Sequence, residues 1–168
     1  LLDLIHIEAA SHITGEHNAP AFIINCKAVR AHRPPRRRAE DRRIADDFAF
    51  FDDWTDRYRH IIDLGKQLPE LSEAEKSDEN RVFGCQSMVW FVIERDSDDR
   101  MQFRATSDAM IVRGLIALLS RVYNGRLAST VASVEPEFIA KLGLEQHLSP
   151  TRNNGLLSMV QKLKQASA

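Results

Sequence analysis

The glycine–cysteine pair Gly84 and Cys85 is the part of this sequence best suited to covalent chemistry. A glycine lets the backbone turn tightly and leaves the next side chain accessible, and an accessible thiol becomes a nucleophile once it loses its proton. The residues alone also allow a second interpretation, in which Cys85 is a small buried hydrophobic side chain. The chemistry of the chain therefore depends on where the fold places this sulfur atom.

Other kinds of catalytic site lack the residues that they need. A cysteine protease or acyltransferase requires a histidine base near its thiol, and after residue 45 the sequence offers only His60, beside a helical stripe, and His147, in a loop before a helix. The sequence has no Cys-x-x-Cys pair and no glycine-rich nucleotide loop. The acidic pairs at 52–53 and 98–99 lack evident further oxygen ligands, so we expect a helix surface and a turn there rather than a metal site.

The elements around Cys85 predict an α+β domain of about 120 residues. Residues 86–95 and 100–106 are rich in β-branched and aromatic residues and flank the turn Asp96-Ser97-Asp98-Asp99, which predicts an antiparallel hairpin. A short third strand is expected at 81–83, just before the thiol. The predicted architecture is a small antiparallel sheet of about three strands flanked by helices.

Four helices are predicted after residue 45, over 46–65, 107–124, 136–143 and 149–165. Asp46 and Asp47 suit the start of the first helix, whose apolar stripe begins at Phe51. Ser107 and Asp108 are expected to cap the second helix, which is apolar on nearly all sides and is therefore the predicted central buried helix. The last helix is expected to begin with a serine cap followed by proline at its first position.

Residues 1–45 differ from the rest of the chain in charge. They contain eight basic and five acidic side chains, a net charge of +3, so residues 46–168 carry −4 within a total of −1. The stretch 33–38 combines two prolines with four arginines, which is typical of a solvated linker. We predict a disordered basic extension over 1–45, with Cys26 as an incidental thiol, and a folded domain over 46–168.

Two classes of partner are disfavoured by composition. A near-neutral total charge predicts no nucleic-acid partner, because phosphate binding needs a clear basic excess. No apolar run approaches the roughly 18 residues that a membrane-spanning helix needs, so we expect no membrane partner. An arginine-rich targeting segment remains open for residues 1–45, although the five acidic side chains there fit a transit peptide poorly.

Ordered blocks of residues span about 46–166 and together form one pattern. They are Asp53-Trp54-x-x-Arg57-Tyr58 with Leu64-Gly65, Asn80-Arg81-Val82-Phe83-Gly84-Cys85-Gln86-Ser87-Met88-Val89-Trp90, Ser107-Asp108-Ala109 with Gly114-Leu115, and Leu142-Gly143-Leu144 with His147-Leu148-Ser149-Pro150-Thr151-Arg152 and Gly155-Leu156. The pattern resembles the SufE family of sulfur acceptor proteins, which are partners of cysteine desulfurases in iron–sulfur cluster assembly. Residues 1–45 lie outside the resemblance.

The resemblance implies a role for each of five residues. Cys85 would be the nucleophile that carries the persulfide, and Gly84, Gln86, Asp108 and Arg152 would support it or its docking surface. Local roles remain open for two of them, because Asp108 is also placed to cap a helix and Arg152 to pair with a nearby carboxylate. The Gln-Ser pair after the cysteine resembles the SufE branch more than the related CsdE branch.

The resemblance also implies a sulfur relay. A SufS-type cysteine desulfurase would hold the pyridoxal phosphate and supply a persulfide, so this chain would need no cofactor of its own. A SufBCD-type scaffold complex would receive the sulfur. The implied protein is a cytoplasmic persulfide carrier and desulfurase activator with the SufE/IscU-like fold, a monomer or weak homodimer rather than a stand-alone enzyme. We further expect Cys85 to rest sheltered by neighbouring apolar residues such as Phe83 and Val89.

Two other functions stay open at the level of the sequence. The domain could stimulate a desulfurase by docking alone, with Cys85 inert. An iron–sulfur scaffold of the IscU kind is the weaker alternative, because such a scaffold needs about three cysteine ligands or their equivalents and the predicted domain has one cysteine.

Overall fold

The computed structural model describes residues 36–168 of the chain. Within them lie seven α-helices, a 3₁₀ turn at Glu73–Glu75 and a three-stranded antiparallel sheet. The bounds are α1 Arg36–Phe48, α2 Trp54–Lys66, β1 Val89–Arg95, β2 Arg100–Ser107, α3 Met110–Tyr123, β3 Arg126–Leu127, α4 Ala128–Ser133, α5 Phe138–Lys141, α6 Leu144–His147 and α7 Pro150–Ala166. The predicted α+β class, with helices flanking a small antiparallel sheet, is confirmed.

The predicted hairpin is the centre of the sheet. Strands β1 and β2 pair in antiparallel register from Val89 opposite Ser107 to Arg95 opposite Met101. The third strand is β3, which pairs with β2. The strand predicted at 81–83 is wrong, because that segment makes only an isolated bridge between Arg81 and Trp90 before the backbone turns away toward Cys85.

Helix α1 crosses the predicted domain boundary between residues 45 and 46. Ile44 and Phe48 lie four residues apart on one helix face and are both buried in the core. The side chain of Arg121 on α3 bonds Glu40 and Asp47 of the same helix at 3.0 and 2.8 Å. Residues 36–45 therefore belong to the folded domain, and the earlier part of the predicted extension, with Cys26, lies outside the described residues.

The helix start predicted at Asp46 and Asp47 is wrong, because helix α2 begins only at Trp54. Its N-cap is Asp53, whose Oδ1 accepts a hydrogen bond from the backbone N–H of Asp56 at 2.9 Å. Residues 49–53 form the connection from α1, so Phe51 lies before the helix rather than on its stripe. Asp46 and Asp47 instead lie in the last turn of α1, which ends at Phe48.

Helices α2 and α3 approach each other closely at two glycines. A methyl group on Gly114 would lie 2.1 Å from the carbonyl oxygen of Ile61, and one on Gly65 would lie 2.6 Å from the backbone nitrogen of Gly114. No other residue type fits at either position without separating the helices. Helix α3 is the central buried helix, as predicted, with nine buried residues.

The last helix follows its predicted signals. Ser149 is its N-cap and accepts a hydrogen bond from the backbone N–H of Arg152, and Pro150 occupies the first position. Helix α7 then extends to Ala166 and buries Leu156, Met159 and other apolar residues against the core. Among residues 36–168, no helix has both the length and the apolar character that crossing a membrane requires.

Candidate functional site

Four of the five predicted site residues line one cavity. Cys85 and Gln86 form one side of it, Asp108 stands where β2 leads into α3, and Arg152 lies in the first turn of α7. The cavity has a volume of about 320 Å³. These four residues, separated by up to 67 positions in the chain, are thus assembled at one place.

The cavity combines an apolar interior with a polar rim. Val112, Leu115 and Met159 are buried side chains that line it from α3 and α7. Gln86 and Arg152 are exposed at its edge. A thiol facing such a cavity is partly removed from water while a docking protein can still reach the rim.

Gly84, the fifth predicted residue, acts through its backbone rather than as part of the cavity lining. Its φ angle is +90°, in the region that favours glycine. A methyl group added to it would lie 2.7 Å from Oγ of Ser158 on α7. The glycine therefore provides both the turn and the close approach to α7 that bring Cys85 against the helix.

The thiol of Cys85 is half-buried against helix α7. Its S–H donates a hydrogen bond to the carbonyl oxygen of Gly155, with the sulfur 3.4 Å from that oxygen. A methyl group on Gly155 would lie 3.1 Å from Sγ, so the glycine leaves the space that the sulfur occupies. Burial raises the pKa of the Cys85 thiol, which favours its protonated form at rest.

Asp108 has a different local role from the predicted one. The N-cap of α3 is Ala109, without a side-chain cap bond, and Ser107 Oγ accepts from its backbone N–H at 3.2 Å. Asp108 Oδ1 instead accepts a hydrogen bond from the backbone N–H of Met88 at 3.0 Å. Asp108 thereby fixes the chain just after Cys85 to the start of α3, and the predicted cap is wrong because α3 begins only at Met110, with Ala109 as its N-cap.

The residues that shelter Cys85 are not the predicted Phe83 and Val89. Phe83 is 69% exposed, and the guanidinium of Arg81 lies over its ring, 5.8 Å from the ring centroid. Val89 is fully buried as the first residue of β1 and does not line the cavity. Helix α7 provides the shelter instead, and the backbone turn at Gly84 separates the exposed Phe83 from the thiol.

Neither histidine supplies a base to the thiol, since neither lines the cavity. His60 packs against the rings of Phe48 and Phe51, with centroids 5.1 and 4.9 Å away. His147 stacks on Trp54 at 3.7 Å. In residues 36–168, no group of three or more histidine, cysteine, aspartate or glutamate side chains is arranged to hold a metal ion.

Sequence reasoning missed one residue that bonds the segment leading to Cys85. Lys162 of α7 donates hydrogen bonds from Nζ to the carbonyl oxygens of Glu79 and Arg81, at 2.9 and 2.8 Å. The sequence around Lys162 gives no signal for this, because a lysine in a helix usually faces solvent and its acceptors here are backbone atoms 83 and 81 residues earlier.

The part of the chain that forms the cavity matches a known protein family. Residues 42–167 match the SufE family model, described as an Fe-S metabolism associated domain. The match begins inside α1 and ends at the C-terminal end of α7, so it includes every element that lines the cavity. A domain associated with Fe–S metabolism supports a role in sulfur transfer.

Curated relatives and a solved structure agree with this match. An uncharacterized SufE-like protein of Rhizobium etli is 48% identical over 126 residues, which cover 73% of this chain and 85% of the relative. Another, from Rhizobium meliloti, is 45% identical over 125 residues, covering 72% and 89%. The solution structure of a hypothetical protein from Thermus thermophilus superposes with a TM-score of 0.62 at 18% identity, covering 76% of this chain and 93% of that one, which shows a shared fold.

Proposed function

Since this chain belongs to the SufE family, we propose that Cys85 accepts persulfide sulfur from a cysteine desulfurase and relays it to an iron–sulfur cluster scaffold. The observation that carries the proposal is the position of Cys85, half-buried at the wall of the cavity that also contains Asp108 and Arg152. It is the sole cysteine between residues 36 and 168. Within the described part of the chain no second thiol is therefore available to release the persulfide as a disulfide and free sulfide.

The transfer step is an exchange at sulfur. The Cys85 thiolate attacks the outer sulfur of the desulfurase persulfide, the bond between the two desulfurase sulfurs breaks, and the desulfurase cysteine leaves as a thiolate. A new sulfur–sulfur bond forms on Cys85, and no external oxidant or reductant is consumed. The desulfurase is then ready for another turnover, which explains how an acceptor of this kind would also activate it.

The resting geometry implies that the thiol must be activated on docking. Burial raises the pKa of Cys85, and its S–H is directed to the carbonyl of Gly155. A thiolate in that position would face an oxygen lone pair. We therefore expect Cys85 to leave α7 when the desulfurase binds and to ionise in the partner's site.

The rim residues have separate proposed roles. Arg152 and Gln86 are exposed beside Cys85 and are placed to contact the desulfurase or an anionic persulfide. Asp108 positions the loop through Met88 and need not touch the partner. Pyridoxal phosphate belongs to the SufS-type desulfurase in this proposal, so the chain itself requires no cofactor.

Persulfide formation on Cys85 is the direct test. The full chain is incubated with a SufS-type desulfurase and cysteine, and mass spectrometry of the Cys85 peptide should show the mass of one added sulfur atom. The Cys85→Ser variant should still bind the desulfurase but should no longer stimulate sulfide release. Full stimulation by Cys85→Ser would overturn the relay and favour activation by docking alone.

Two further measurements separate the remaining roles. The persulfidated protein, freed of desulfurase, should transfer its labelled sulfur to a SufBCD-type complex, and failure to do so would limit the proposal to desulfurase activation. Anaerobic incubation with iron and sulfide should leave the protein colourless. A bound chromophore that is lost in Cys85→Ser would instead favour the scaffold function.

A further inference from the structure

Three residues on one face of helix α7 contact the segment that leads into Cys85. Gly155, Ser158 and Lys162 are spaced by three and four residues, which places them along a single helix face. Gly155 accepts from Cys85, and Ser158 lies against Gly84. Lys162 binds the chain still further upstream. The cysteine loop, residues 79–85, therefore runs antiparallel along α7.

Lys162 bonds the outer edge of this loop. On its inner edge the loop is bonded to β1, where Phe91 N–H donates to the Asn80 carbonyl and Val82 N–H donates to the Val89 carbonyl, both at 2.8 Å. Residues 78–81 form a turn, in which the Arg81 N–H donates to the Asp78 carbonyl at 3.2 Å. The carbonyls of Glu79 and Arg81, on either side of Asn80, both accept from the Lys162 ammonium on α7 instead of from β1.

We propose that Lys162 is a positioning residue for Cys85, which holds the cysteine loop in its sheltered arrangement on α7. The inference rests on the proposed function for its biological meaning. Breaking the two Lys162 hydrogen bonds and releasing the thiol from Gly155 are coupled events. The desulfurase would then overcome this contact when it draws Cys85 out.

The short distance along the chain makes the coupling strong. Only residues 82–84 separate the Arg81 carbonyl, held by Lys162, from Cys85. A segment of three residues leaves little slack between the anchor at Arg81 and the thiol. Burial lowers the pKa of Lys162, in keeping with an ammonium that lies partly out of water against backbone carbonyls.

Different charged groups lie near the two ends of the cysteine loop. Asp108, at the start of α3, and Arg152, on α7, line the cavity beside Cys85. Glu79 and Arg81 line the groove beside Lys162 together with α7. Replacing Lys162 leaves the first two groups in place, so a change in Cys85 reactivity reports release of the loop rather than a new charge beside the sulfur.

Alkylation of Cys85 by iodoacetamide measures this release, with its peptide quantified by mass spectrometry in the full chain. Lys162→Met removes both hydrogen bonds and should raise the rate at neutral pH at least about fivefold, the effect expected from losing even one net hydrogen bond that holds the closed form. Its pH profile should also shift to lower pH as burial of the thiol is reduced. Lys162→Arg retains the donors and should restore most of the protection.

Lys164→Met is the matched control, because Lys164 lies on the same helix and pairs with Glu135 instead. Equal alkylation rates in Lys162→Met and Lys164→Met would overturn the proposal. Circular dichroism establishes that the variants are folded. Persulfide formation in the wild-type protein tests the proposed function separately, so failure of the positioning role leaves that result intact.

A second measurement uses the wild-type chain alone and does not depend on a variant folding. Blocking Cys85 with N-ethylmaleimide displaces it from Gly155, where even a methyl group on the glycine would crowd the sulfur. Since coupling is reciprocal, reductive methylation of Lys162 should then accelerate relative to Lys164. An unchanged ratio of the two lysine rates would show that thiol and lysine are uncoupled and would overturn the proposal.

Discussion

The sulfur of Cys85 lies 3.4 Å from the carbonyl oxygen of Gly155, inside helix α7. Only the protonated thiol can donate to that oxygen, so the contact stabilises the unreactive form. The same contact shelters the sulfur without a large side chain over it, because Gly155 has no Cβ. The reactivity of Cys85 consequently depends on the position of the cysteine loop as well as on the ionisation of the thiol.

The pH dependence of Cys85 alkylation follows from this relationship. Because burial raises the pKa of Cys85, the rate should rise with a midpoint at higher pH than the ordinary cysteine value. In the unfolded chain the thiol ionises first, so this group's contribution to the free energy of unfolding should fall as pH increases past that ordinary value. Alkylation rates measured across this pH range in buffer and in urea provide the comparison, and a native midpoint at or below the unfolded one would contradict the prediction.

Gly155→Ala should release Cys85 while leaving the domain folded. The new methyl group would stand 3.1 Å from Sγ, so the sulfur must shift by a few tenths of an ångström, which weakens its bond to the Gly155 carbonyl, and the alkylation rate at neutral pH should increase by up to about fivefold. Alanine also favours the helix by about 1 kcal/mol over glycine, which offsets part of the steric cost in urea unfolding. Ser158→Ala, on the same face but removing only a hydroxyl group, is the control and should change the rate far less.

Gly84→Ala should destabilise the protein by about 1–2 kcal/mol in urea unfolding, since its φ of +90° is unfavourable for a residue with Cβ. The added methyl would also meet Oγ of Ser158, but that side chain can rotate away. The loss should therefore persist when Ser158→Ala is added to the same chain. Recovery of full stability in the double variant would show that the side-chain contact, rather than the backbone angle, is the cause.

Asp108→Ala should loosen the segment that follows Cys85, whereas Lys162 holds the segment that precedes it. It removes the acceptor for Met88 N–H and should cost about 1 kcal/mol in the free energy of unfolding, with faster alkylation of Cys85. Asp108→Asn keeps an acceptor oxygen and should lie close to the wild type in both measurements. An equal loss in the two variants would indicate that the charge matters more than the Met88 hydrogen bond.

Much of the fold could be predicted because its signals are local. The β1–β2 hairpin and the Ser149–Pro150 start of α7 were both expected from residue types adjacent in sequence. Helix α1 was missed because few of its residues are apolar, and Ile44 and Phe48 alone do not make a recognisable period. Its stability comes from contacts with distant parts of the chain, such as Arg121.

The functional site, like the fold, could be predicted only in part from the sequence. The sequence pattern selected Cys85 and its companions in the cavity, but it assigned Asp108 a local cap in place of its bond to Met88. It did not select Lys162, whose partners are backbone carbonyls. Side chains that act on distant backbone atoms leave no spacing rule in the sequence, so their roles become visible only in three dimensions.

The close crossing of α2 and α3 has a mechanical consequence for the cavity. Gly65 and Gly114 bring the two helix backbones into contact, so the α3 wall that bears Val112 and Leu115 is stiff. The part of the cavity wall that contains Cys85, Gln86 and Ser87 belongs to no helix or strand and is bonded on its two sides by Lys162 and Asp108. When a partner draws Cys85 outward, this segment would therefore move while the α3 wall stays in place.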